Sequence, residues 1–170
     1  MALLSWGKPG IETTTSTNGA PDAAGWKPVD TPKDTTTKLT PTAGTETEAL
    51  EEGGEVVDSR TSKNKYQFEF DHFVKKGKKR PWDDNDGIIA GEHAFRLTPE
   101  DEDCEGIQID RCTLRVEESY TTADGIMLHY VAKVLKPKEG KMVKPYFKNG
   151  AAPAQANEAP ENEAPENEAR

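Results

Sequence analysis

The chain has 170 residues and a net charge of −9, with 33% hydrophobic and 31% charged residues. That length suits one domain, and the acidic balance argues against sequence-specific DNA binding, which needs cations to displace counterions from phosphates. No window approaches the ~18 consecutive apolar residues of a membrane helix.

The opening, Met1 to Gly10, carries two leucines but is broken by Gly7 and Pro9, which is too short for a secretory signal. The expectation is a protein made and kept in a cytoplasm, with Cys104 and Cys112 as reduced thiols. Large apolar residues concentrate in Tyr66 to Val74, Ile107 to Val116 and Ile126 to Leu135. A folded body of roughly 100 residues with long polar arms follows from that distribution.

Residues 1–24 read as a polar, turn-rich arm with one strand around Ile11 to Thr15 and turn signals at Asn18-Gly19 and Pro21-Asp22. Residues 25–148 read as the folded domain. Trp26 and Val29 anchor a short strand closed by Pro32. The threonine-rich stretches Thr35 to Thr40 and Thr45 to Leu50 have few apolar anchors, as in exposed or edge strands. Gly53-Gly54 breaks the chain before a strand over Glu55 to Arg60.

Lys65 to His72 alternates apolar and polar residues at period two, which predicts a half-buried strand. Residues 75–91 read as a polar excursion and Glu92 to Leu97 as a strand. Ile107 and Ile109 share one parity while Cys112, Leu114 and Val116 share the other, which predicts a β-bulge near Asp110-Arg111 within one long strand. Ile126 to Leu135 is the most hydrophobic strand and is expected to be central and covered on both sides. Residues 149–170 contain a period-five repeat of Asn, Glu, Ala, Pro and Glu, whose composition cannot offset its ordering entropy and is expected to be disordered. The sum is an all-β domain, a sandwich or barrel of about seven to nine strands.

No chemistry-bearing constellation emerges. His72, His93 and His129 lack ligand spacing, and Cys104 and Cys112 lack that of a zinc site. There is no nucleophile elbow and no glycine-rich phosphate loop. Asp83-Asp84-Asn85-Asp86-Gly87 departs from the calcium-loop pattern, with Ile88 and Ile89 following. No catalytic, cofactor-binding or metal residue is therefore assigned, and the chain is read as a non-enzyme with no cofactor. The basic run Lys75, Lys76, Lys78, Lys79 and Arg80 is read as a solvated hairpin tip or, as the functional alternative, a contact loop. It is expected to meet an acidic loop of a neighbouring copy, with Glu100, Asp101, Asp103 and Glu105 as candidates, and such complementarity sets register.

The stretch from Trp26 to Pro137 resembles the tail tube (major tail) proteins of tailed bacteriophages, as in Bacteroides-type phages and prophages. The residues that carry the likeness are Glu51-Glu-Gly-Gly-Glu-Val-Val-Asp58, Asn64-Lys-Tyr-Gln-Phe-Glu-Phe70, Phe73-Val-Lys-Lys-Gly77, Arg96-Leu-Thr-Pro-Glu-Asp101 and Ser119-Tyr-Thr-Thr-Ala-Asp-Gly125. The resemblance implies a sandwich or barrel related to the type VI secretion tube protein, assembled with its own copies into stacked hexameric rings. It further implies a place in the virion tail, other tail proteins as neighbours, and genomic DNA passing through the lumen without specific binding. The alternative reading is a soluble β-sandwich binding module for carbohydrate or protein, with Trp26, Trp82 and Tyr120 as exposed stacking residues.

Overall fold

The structure, a computed structural model, describes residues 3–150. Eleven strands and no helix form among them. Nine strands make one curled, half-barrel sheet: β1 (Gly10–Thr17), β2 (Ala20–Pro21), β3 (Lys27–Val29), β4 (Lys38–Thr42), β7 (Lys65–Phe73), β8 (Ile88–Thr98), β9 (Gly106–Thr121), β10 (Gly125–Val134) and β11 (Lys144–Tyr146). The other two, β5 (Glu46–Leu50) and β6 (Val56–Thr61), form a separate hairpin.

The main sheet runs β2-β1-β8-β9-β10-β7-β4, with β3 beside β1 and β11 beside β9. All its pairings are antiparallel. In sheet order β7 and β8 lie three strand spacings apart, about 14 Å across a flat sheet. Yet the Phe68 and Phe95 rings on those strands are 5.5 Å apart. The sheet therefore bends back on itself, and one layer encloses what a sandwich would need two layers to enclose.

Two irregularities accompany the bend. Between His93↔Cys112 and Phe95↔Ile109, β9 advances three residues while β8 advances two, so the extra residue lies at Asp110-Arg111. This is the predicted bulge, and it moves Cys112, Leu114 and Val116 onto the buried face already held by Ile109. A second irregularity, absent from the sequence reading, separates Ile88↔Arg115 from Glu92↔Thr113. Gly91 lies in it at φ +82°, a conformation that side chains rarely adopt. Bulges increase local twist, which favours curling.

The concave face buries Ile11, Phe68, Phe70, Phe95, Leu128 and Tyr130 among others in a single cluster. Trp82, in the loop between β7 and β8, covers it. Its ring lies 5.0 Å from Tyr130 and 5.8 Å from Phe95. Cys112 is fully buried and donates to the His93 carbonyl at 3.1 Å; burial pushes its thiol well above the ordinary range. Burial likewise pushes the Tyr130 hydroxyl up to about 12.

Several expectations change here. Of the expected sandwich or barrel, the structure shows an all-β, half-barrel sheet and a separate hairpin. The expected arm over residues 1–24 supplies β1, which pairs with β8 from Gly10↔Thr98 to Ser16↔Glu92 and places Ile11 in the core. The strand expected around Ile11 to Thr15 is present, but its place in the core was hidden, because Thr14 and Ser16 occupy buried positions through hydrogen bonds to the carbonyls of Asp22 and Asp110. The Asn18-Gly19 turn falls as expected, with both residues at positive φ and Thr17 paired with Ala20. On β10 only one face is deeply buried; Met127, His129 and Val131 on the other are half-exposed. The repeat over residues 151–170 lies outside the described residues.

Candidate assembly surfaces

Four surfaces follow from this architecture: two charged loops, the hairpin and the sheet margins. The basic loop leaves β7 at Phe73 and precedes β8. The acidic loop follows β8 at Thr98. An 11-residue strand separates them, so the two loops occupy opposite ends of the sheet, roughly 35 Å apart. The structure does not bring the two predicted residue groups together within one chain.

Each loop is partly neutralised by its own chain. Lys78 contacts Asp30 at 3.1 Å and its hydrogen bond holds the Asp30 carboxyl below its ordinary range. Arg80 donates two hydrogen bonds to Glu118, at 2.7 and 3.1 Å. Lys75, Lys76 and Lys79 are exposed and make no ion pair among the described residues. On the acidic side, Glu100 accepts the Lys8 backbone amide at 3.2 Å, Glu102 pairs with Lys148, and Asp103 accepts from Asn149 at 2.8 Å. Asp101 closes the turn by accepting the amides of Asp103 and Cys104. Glu105 is exposed. The Asp83–Gly87 segment is a turn rather than a cation loop: Asp84 accepts the Gly87 amide at 3.0 Å and Asn85 bridges Ile88.

The hairpin was not among the contact candidates named from the sequence, although Thr45 to Leu50 was read as an exposed or edge strand. Every residue of β5 and β6 is exposed, and neither strand pairs outside the hairpin among the described residues. Near its tip stand Leu50 at 60%, Val56 at 52% and Val57 at 55% exposure. Its charge is mostly negative, from Glu46, Glu48, Glu51, Glu52, Glu55 and Asp58 against Arg60. A signal was present in the sequence: Val56 and Val57 are adjacent, so they build no period-two stripe with which to dock on the body.

The sheet margins are short and carry proline. Pro21 lies in β2, Pro28 in β3 and Pro41 in β4. Proline lacks the amide donor and blunts an edge against further pairing. β4 covers β7 only from Lys65 to Glu69, and beyond it Lys33 and Thr36 bind the Asp71 backbone. The hairpin, by contrast, leaves both of its outer margins unpaired among the described residues.

The aromatic platform of the alternative reading does not assemble. Trp82 packs on the core, and Trp26 lies under the Arg96 guanidinium at 3.8 Å. Of those three only Tyr120, 70% exposed, stands in solvent. Neither the protein-family models nor the curated proteins compared with the chain match it.

Proposed function

We propose that the chain is a structural subunit that assembles with its own copies into hexameric rings stacked as the hollow tail tube of a bacteriophage. The self-association rests on one observation, the β5–β6 hairpin. A lone two-stranded hairpin is marginal in water, and three or more strands or a packed face are needed to hold it. This hairpin has neither from the described residues. A second copy would cover Leu50, Val56 and Val57 and complete the unpaired backbone margins.

The opposed charged loops give that association a direction. A subunit with positive charge at one end and negative charge at the other favours head-to-tail contacts, which form closed rings or open stacks according to the rotation per subunit. The net charge of −9 suits a wall that DNA passes without sticking. The phage tail itself rests on the resemblance of the strand-and-turn stretches from Glu51 to Gly125.

Light scattering on the full chain after size exclusion, followed by negative-stain microscopy, tests the reading. Rings or tubes are expected at high protein concentration, and single chains at every concentration would sink it. Leu50→Ser/Val56→Ser/Val57→Ser should remove assembly while leaving the circular dichroism and unfolding midpoint of the body unchanged.

A further inference from the structure

The core face of the sheet runs on past its last covered residues at the end where β7 stops. Val74 continues β7 by donating its amide to the Ile126 carbonyl at 3.1 Å, and Ile126 pairs with Tyr120 in the register of β10 and β9. Side chains directly opposite one another across a ladder share a face. Val74, Ile126 and Tyr120 therefore stand in a row on the side where Phe70, Leu128 and Tyr130 are buried further in. Unlike those residues they are open to solvent, at 38%, 38% and 70% exposure.

This apolar corner and the β5–β6 hairpin lie at opposite ends of β7. The hairpin occupies the connection between β4 and β7, two strands that meet at Thr42↔Lys65. Phe73, beside the corner, is roughly 27 Å further along β7 than Lys65. Their charges also differ. The hairpin is mostly negative, so two hairpins repel one another. At the corner the neighbouring acids are already paired, Asp124 with Lys33 at 3.1 Å and Glu118 with Arg80 at 2.7 Å. The residues that follow Val74 are Lys75 and Lys76, exposed and without an ion pair among the described residues.

We propose, on the basis of the self-association above, that the hairpin of one copy docks on the Val74–Ile126–Tyr120 corner of the next. Leu50, Val56 and Val57 cover that corner while the acids around them face a basic rim. An apolar centre inside a charged rim is the make-up of a specific interface. Because the two docking surfaces are different parts of one chain, the contact is heterologous and repeats from copy to copy. The acidic loop leaves β8 at the hairpin's end of the sheet, so the same contact brings it toward the neighbour's basic end.

Size exclusion with light scattering on two full-chain variants, each with the parent's circular dichroism, tests the docking. Tyr120→Ser/Ile126→Ser removes the corner and keeps the hairpin, while Leu50→Ser/Val56→Ser/Val57→Ser does the reverse. Each alone should run as a single chain. An equimolar mixture should form a one-to-one dimer and nothing larger, because one intact hairpin then meets one intact corner. Tyr120→Glu, at an open position, should weaken association of the otherwise unchanged chain at least about tenfold at low salt, since it faces the acidic hairpin. A corner variant that assembles as the parent does, a mixture of folded variants that stays monomeric, or Tyr120→Glu without effect would each overturn the docking while the self-association stands. Single chains from the parent protein at every concentration would sink both.

Discussion

The curled sheet and the β5–β6 hairpin are built from the same kind of strand, yet one buries its side chains and the other buries none. In β7, Phe68, Phe70 and His72 fall on one face, and the bend of the sheet brings Phe95 and Tyr130 against them. In β6, Val56 and Val57 are consecutive and stay exposed. The strand conformation is local, but what it is worth depends on whether a second surface arrives to cover it. For the body that surface is the same sheet returning on itself. For the hairpin no described residue supplies it.

The largest expected effect breaks the body and spares the hairpin. Phe70 is fully buried, with Phe68, Phe95, Trp82 and Tyr130 around its ring. Phe70→Ala should cost about 3–5 kcal/mol in urea unfolding, much of a typical domain's stability. Val57→Ser should change the monomer's unfolding by no more than about 0.5 kcal/mol. Comparable losses from the two would mean that the hairpin belongs to the cooperative body, and the contrast would fail.

A smaller effect comes from protonation and again touches only the body. His93 is buried beside Trp82, its Nε2 3.1 Å from the Ala90 carbonyl, and burial lowers its pKa from the ordinary 6.5. His72 is lowered for the same reason. The unfolded chain therefore takes up protons that the folded body refuses. Stability is present above about pH 6.5 and falls as pH drops through that value toward the lowered folded pKa. The urea midpoint should decline between about pH 7 and pH 5, and His93→Gln should flatten part of the decline. A midpoint independent of pH in that window would contradict the burial of both rings.

The same contrast explains what was legible in the sequence. Lys65 to His72 and Ile126 to Leu135 announce themselves because period two survives wherever one face meets a core. The Asp110-Arg111 bulge was legible as a change of parity, and Asn18-Gly19 as turn chemistry. β1 was underestimated because hydroxyl groups that bond to carbonyls can occupy core positions without looking apolar. The curl of the sheet was legible only as the choice of sandwich or barrel, since where it bends is set by contacts between β7 and β8, which no local pattern encodes. For the candidate surfaces, the clustered lysines showed where a contact loop lies, while the pairing of Lys78 with Asp30 and of Arg80 with Glu118 depends on residues 48 and 38 positions away.

The smallest expected effect on stability is also the sharpest on assembly. Lys75, Lys76 and Lys79 are exposed and make no ion pair among the described residues, so Lys75→Glu/Lys76→Glu/Lys79→Glu should leave the unfolding midpoint within about 0.5 kcal/mol of the parent protein. If these lysines meet the acidic loop of a neighbour, the same triple variant should weaken association at low salt. The difference should fade as salt rises, because exposed charges are screened beyond about 10 Å at 0.1 M ionic strength. A charge swap then separates specific pairing from general repulsion. Glu100→Lys/Glu105→Lys subunits mixed with the triple variant should recover association that each lacks alone. Recovery requires the two loops to face one another across subunits, and its absence would overturn that pairing.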